Sequence, residues 1–181
     1  LSSDRTVSCS SCHDPARAFA DSVPKSKGVA GHFTTRNTPV LVNRAYGASF
    51  QWDGKSATLE EQALLPIENP LEMDLPLAEA ERRVNDDADY RRAFEHAFGR
   101  APDRDGLARA LAAYVRRQLL GASPVDRFRA GDVAALTDEE RAGLWFYESR
   151  GGCWRCHSGA NFSDEGFHNT GVGARGGVPE E

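Results

Sequence analysis

All four cysteines of the chain fall in two copies of one pattern, Cys9-Ser10-Ser11-Cys12-His13 and Cys153-Trp154-Arg155-Cys156-His157. Two thiols at this spacing can add to the vinyl groups of a haem, and a short helical turn then aims the next imidazole at the iron. The spacing is a geometric demand of that attachment, and the histidine is part of the signature. Two other chemistries use similar residues. A redox disulfide needs only Cys-x-x-Cys, and a zinc site would draw four ligands from the paired motifs. Neither explains why a histidine follows immediately both times with no cysteine left over. The motifs therefore read as two covalently attached haems c, on Cys9, Cys12 and His13 and on Cys153, Cys156 and His157, with both histidines on iron. Such attachment takes place outside the bacterial cytoplasm, so the expected compartment is the periplasm, and the absence of spare thiols fits an oxidising one.

The elements that must position these motifs read as helices. With 181 residues, 40% apolar and 27% charged, the chain can form one ordinary domain or two small ones around a core. No stretch approaches the roughly 18 uncharged apolar residues of a membrane span. The net charge of −5 argues against nucleic acid and says little about small redox partners, which dock through local patches. Residues 14–56, rich in Gly, Pro, Ser, Thr and Asn, read as an irregular wrap around the first haem. Thr58-x-x-Glu61 is a capping box opening a short helix that Pro66 is expected to close. Leu77 to Phe98 reads as two helices broken near Asn85-Asp86-Asp87. The clearest helix spans Arg104 to Leu120, with Leu107, Leu111, Tyr114, Val115 and Leu119 on one apolar face and Gly121 as its C-cap. Phe128 to Leu136 reads as a connection. Thr137-x-x-Glu140 opens a further helix through Leu144, Phe146 and Tyr147, which Gly151-Gly152 ends at the second motif.

The expected class is mainly α with two cytochrome c-like haem domains, residues 1–132 and 133–181. The first residues, Leu1-Ser2-Ser3-Asp4, do not resemble a signal peptide, which suggests a mature or trimmed form. The second domain is short and ends in the loop-like Gly176-Gly177-Val178-Pro179-Glu180-Glu181, so its remainder is expected on a missing or separate segment.

With both motifs and their separation in view, three further stretches carry a resemblance. They are Arg36-Asn37-Thr38-Pro39-Val40-Leu41-Val42-Asn43, Trp52-Asp53-Gly54-Lys55, and Leu59-Glu60-Glu61-Gln62-Ala63 running on to Pro66 and Glu72-Met73. In this order the chain resembles the bacterial dihaem cytochrome c peroxidase superfamily, which includes the MauG-like enzymes, over nearly its whole length. The resemblance implies that the haem on Cys9, Cys12 and His13 is the peroxide-binding one, and that the haem on Cys153, Cys156 and His157 accepts electrons. Trp52 matches the tryptophan lying between the haems, Glu72 the distal acid, and Gln62 and Pro66 its neighbours. Asn37 matches a side chain that helps hold Ca²⁺. Gly31-His32 resembles the Gly-His whose imidazole caps the first haem at rest and leaves on activation, although it sits closer to Asn37 than in those peroxidases. A MauG-like enzyme lacks that ligand and keeps an open site.

Splitting H2O2 on ferric haem needs a proton moved from the near oxygen to the far one, which a nearby carboxylate can do as base and then acid. Glu72 follows an apolar, proline-containing stretch that could desolvate it and raise its pKa, whereas Glu60, Glu61 and Glu68 read as solvated surface residues. Trp52 beside Phe50 could equally be core. Asn37 before Thr-Pro could simply make a turn, and Ca²⁺ needs six or more oxygens of which it supplies one. His96 reads as a surface or packing residue and His168 as support for the second haem pocket. The sixth ligand of the second haem is not identified, since the only methionine, Met73, adjoins Glu72.

The expected function is a periplasmic dihaem peroxidase that reduces H2O2 to water with electrons from a small cytochrome c or cupredoxin. A MauG-like oxidase that uses H2O2 to modify a protein substrate is the alternative, and a plain dihaem electron carrier the non-enzymatic rival. Peroxidases of this kind are often dimers, so a homodimer is among the partners implied.

Overall fold

The computed structural model describes residues 1–171; the expected loop at 176–181 lies outside them. Contacts divide the chain into two units, Leu1–Leu120 and Gly121–Glu181. The first motif begins as the single helical turn α1 (Cys9–Cys12). Residues 14–56 then run as an irregular segment with three short 3-10 turns and isolated bridges at Asp14–Ala20, Lys27–Phe33 and Phe50–Ser56. Four longer helices come next: α2 (Leu59–Glu68), α3 (Leu77–Asp86), α4 (Ala88–Phe98) and α5 (Arg104–Arg116). The second unit holds α6 (Pro124–Arg129) and α7 (Asp138–Glu148) before the second motif, which starts as a 3-10 turn, Cys153–Arg155. Among the described residues there is no extended strand, so the class is mainly α.

The capping boxes behave as their residue types demand. The Thr58 hydroxyl accepts from the Glu61 N–H at 3.1 Å, and Glu61 returns a carboxylate to the N–H of Thr58. Thr137 and Glu140 repeat the exchange at the start of α7. Each satisfies backbone donors that a helix N-terminus leaves free. Asp87 breaks the 77–98 stretch by capping α4, accepting from the N–H groups of Asp89 and Tyr90.

Two helix ends depart from expectation. Pro66 does not close α2; it sits in the last turn, and the helix runs to Glu68 because Asn69 N–H still reaches the Leu65 carbonyl at 3.0 Å. Helix α5 stops at Arg116 rather than Leu120, and its C-cap is Arg117 rather than Gly121. The competitor is tertiary. Asn43 N–H donates to Gln118 O at 2.8 Å, and its side chain pairs with both backbone groups of Leu120 at 2.9 and 3.0 Å. These bonds draw residues 118–120 out of the helix.

The core of the first unit joins Leu64 and Ile67 of α2, Met73, Leu75, Leu77 and Ala80, and Ala108 of α5. The buried face of α5 is Leu107, Ala108 and Ala112, with Leu111 and Val115 partly covered; Tyr114 and Leu119, expected on that face, are more than half exposed. Ala112 is fully buried. Ala108 packs with Leu64 and Ile67 of α2 and Ala112 with Leu59, so small residues of α5 meet large ones of α2 along this seam.

Within the second unit, α6 is tied to α7 and to the residues around the second motif. Arg129 pairs with Glu148 at 2.6 Å, reaches Gly159 O at 3.3 Å and lies over the Phe162 ring at 5.0 Å.

Candidate functional site

Each motif ends in a histidine held by the same device. His13 Nδ1 lies 2.9 Å from the carbonyl oxygen of Phe19, and His157 Nδ1 lies 3.3 Å from that of Phe162. A carbonyl can only accept, so Nδ1 carries the proton and the Nε2 lone pair stays free for a metal. Both acceptor residues have left-handed backbones, φ 62° at Phe19 and 52° at Phe162. A bulky residue there is a costly conformation, held by the bond from Phe19 N–H to Asp14 O at 2.8 Å and by the packing of Phe162 on Tyr147 at 5.8 Å. Tyr147 also donates its hydroxyl to His157 O. The cysteines share a pattern too: Cys9 and Cys153 are exposed, Cys12 and Cys156 half-buried, and none is in a disulfide.

These residues fit the haem that the motifs imply. The donor is an imidazole whose Nδ1 is engaged by a carbonyl, the thiols are free, and large apolar side chains stand exposed near the second motif, among them Trp154, Trp145 and Phe167. A cleft of about 270 Å³ beside that motif is lined by Arg129, Tyr147, Trp154 and His157.

Glu72 stands beside the first motif on a tight turn. Glu72 N–H donates to Asn69 O at 3.0 Å, closing the turn. The Asn69 side chain accepts from Leu71 N–H at 3.0 Å and donates to the Glu72 carboxylate at 2.7 Å. Burial pushes the Glu72 carboxyl above the usual range, while the Asn69 donor and the charges of His13 and Lys55 pull it down. The half-buried Cys12 thiol is raised, first by burial and also by the charges of Asp21 and Glu72, with hydrogen bonding from Ser26 and Thr38 opposing. Glu72 is thus within electrostatic reach of both His13 and Cys12. Its counterpart near the second motif behaves oppositely. Asp164, whose N–H bonds Cys156 O at 2.9 Å, is held below the usual range by Gly166 N–H and by His168 Nε2 at 2.8 Å. Cys156, Asp164 and His168 offer ligand atoms within 4.8 Å of one another.

The remaining expected residues spread over α2 and the irregular segment. Gln62, on the first turns of α2, accepts from the buried Ser56 hydroxyl at 3.2 Å, and Pro66 lends its carbonyl to Met73 N–H at 3.2 Å. Trp52 is not core: it is 55% exposed at the tip of the 50–56 turn, its indole N–H donating to Asn37 O at 2.7 Å. Asn37 donates its amide to Val23 O, and among the described residues no cluster of His, Cys or acidic ligands includes a neighbour of it. His32 is exposed, with Nδ1 at 3.3 Å from Pro70 O, and His96 is exposed on α4. Sequence reasoning does not single out Asn69, Ser26 or Thr38. For Asn69 a signal exists, since Asn-Pro commonly opens a turn; the serine and threonine carry none.

Comparison with known proteins settles the family. The sequence model of di-haem cytochrome c peroxidase matches residues 1–134. The chain belongs to this family. It is 34% identical over 176 residues to a methylamine utilization protein MauG of Methylorubrum extorquens, covering 96% of this chain and 50% of that protein. It is 33% identical to a cytochrome c551 peroxidase of Pseudomonas aeruginosa, covering 95% and 50%. Among solved structures, a MauG-like protein associated with microbial copper homeostasis superposes with a TM-score of 0.84 at 33% identity, over 92% of this chain and 50% of that one. The chain therefore spans about half the length of the curated relatives it matches. Membership of this family implies haem c, and the relatives are named as MauG proteins and cytochrome c peroxidases. Among the described residues no helix is long and apolar enough to cross a membrane.

Proposed function

We propose that this chain forms the peroxidatic haem domain and the start of the electron-transfer haem domain of a periplasmic dihaem peroxidase. The enzyme reduces H2O2 to water with electrons from a small cytochrome c or cupredoxin. The observation that carries this reading is the contrast between two carboxyls: Glu72, half-buried, aimed by the Asn69 amide and raised by burial, and Asp164, exposed beside Cys156 and held low by Gly166 N–H and His168. Carboxyls whose environments push their pKa values apart mark out where proton transfer is done.

Cys9 and Cys12 would hold a haem covalently with His13 on its iron, and that group would supply a Lewis acid for peroxide and a route for electrons. Glu72 takes the proton from the near oxygen and delivers it to the far one, which departs as water. Each peroxide consumes two electrons and two protons and yields two waters. Asn69 keeps the carboxyl aimed; Gln62 and Pro66 line the same approach. Cys153, Cys156 and His157 would hold the second haem, which would supply the entry point for electrons, and Trp52 is assigned as the relay residue. Asn37, whose amide nitrogen is engaged by Val23 O, is assigned its oxygen as a Ca²⁺ ligand. His32 is assigned as the switchable ligand of the first haem.

A second reading, a MauG-like oxidase acting on a protein substrate, is supported by the 34% identity to a methylamine utilization protein MauG and the likeness to a solved MauG-like protein. One experiment separates the two: H2O2 consumption by the full-length holoprotein with a reduced small cytochrome c. Sustained turnover is the expected result. A long-lived oxidised haem spectrum without turnover would transfer the assignment to the protein oxidase.

A further inference from the structure

The segment from Ser26 to Thr34 folds back on itself as a narrow hairpin. Thr34 N–H donates to Ser26 O at 2.9 Å and Gly28 N–H to His32 O at 2.8 Å, with left-handed Ala30 (φ 53°) and Gly31 (φ 78°) at the tip. One side of its base faces the first motif. Ser26, fully buried, bonds the Thr38 hydroxyl at 2.5 Å, and both hydroxyls oppose the rise that burial imposes on the Cys12 thiol. The other side grips the turn that carries Glu72. Val29 N–H donates to Glu72 O at 2.9 Å, and His32 Nδ1 lies 3.3 Å from Pro70 O. Gly28 is packed so tightly there that a Cβ would stand 2.0 Å from Leu71 O and 2.9 Å from Glu72 O. Its φ of −94° is open to any residue, so contact with the acid-bearing turn, and not backbone conformation, is what excludes a side chain.

We propose that Gly28 is a positioning residue: the Ser26–Thr34 hairpin clasps the 69–72 turn to the first motif and so sets where the Glu72 carboxyl stands over the peroxide site. The inference rests on the proposed role of Glu72 in peroxide cleavage. The Asn69 amide and the Lys55 charge act on the carboxyl directly, and neither belongs to the hairpin. The clasp therefore works through backbone position. A displacement of about 1 Å in a catalytic group costs on the order of 10²-fold in rate.

The test uses the full-length holoprotein with Gly28→Ala, and Val29→Pro beside it, which removes the N–H that holds Glu72 O at a position where a helical turn tolerates proline. Haem content, peroxide turnover at saturation, half-saturating peroxide and rescue by added formate are read together, with Glu72→Gln run in parallel. The expected result for at least one folded clasp variant is both haems retained, saturated turnover lower by roughly 10²-fold, half-saturation little moved, and partial rescue by formate. Loss of turnover in Glu72→Gln with parental kinetics in both clasp variants would overturn the clasp alone. Parental turnover in Glu72→Gln would instead remove the reading on which the clasp rests. Loss of the first haem from both clasp variants would also overturn the proposal, by making the hairpin part of haem retention.

Discussion

At the scale of single residues, the chemistry depends on two opposed effects on one carboxyl. Burial raises Glu72 and the Asn69 donor lowers it, leaving it above the ordinary range. The folded protein therefore holds that proton more tightly than the unfolded chain does. Such a group contributes stability below the unfolded glutamate pKa and loses it as pH rises through the raised folded value. Glu72→Gln removes the loss, so its melting temperature should gain on the parent's as pH is taken from acid to neutral. A difference that stays constant over that range would contradict the buried carboxyl. Asn69→Leu deletes both bonds of the aiming amide while keeping similar bulk. It should lower the peroxide rate roughly tenfold to a hundredfold, the worth of a hydrogen bond to a charged group, and an unchanged rate would show that the turn aims the acid without it.

At the scale of elements, stability comes from a narrow seam between α2 and α5 that small residues permit. Ala112→Leu should overpack it and lower unfolding free energy by about 1–3 kcal/mol, read as a lower denaturant midpoint with the slope unchanged. Helix starts were legible in the sequence at Thr58, Asp87 and Thr137, each of which satisfies N–H groups within three residues, but α6, opened by the local box of Ser123 and Asp126, was not read. Helix ends were not, because the partners that decide them are remote. Asn43 ends α5 from 77 residues away, and no local pattern announces it. The same limit hid Trp52 from a packing argument. An indole beside Phe50 looks like core, yet its place is fixed by Asn37 O across the irregular segment. Asn43→Ala should loosen residues 118–120 and cost about 1 kcal/mol, seen as faster amide exchange there than in the parent.

At the scale of the whole molecule, the two motifs were the most legible feature, since attachment chemistry imposes spacing and composition together. Sequence could not supply the carbonyls of Phe19 and Phe162, which orient His13 and His157 through left-handed backbones at residues that rarely adopt them. Nor could it supply the electrostatic contrast between Glu72 and Asp164, which arises from burial and from partners on other segments. The dihaem assignment predicts that Cys153→Ala in the full-length protein loses the second attachment and retains one haem by intact mass; two remaining haems would contradict it. The most direct test of Glu72 as the proton carrier is the rate at which the full-length holoprotein reacts with H2O2 on rapid mixing, compared with Glu72→Gln at equal haem content. A fast reaction is expected in the parent and a loss of about 10²–10⁴-fold in the variant. Equal rates would contradict that role, and would place the proton transfer on some group other than Glu72.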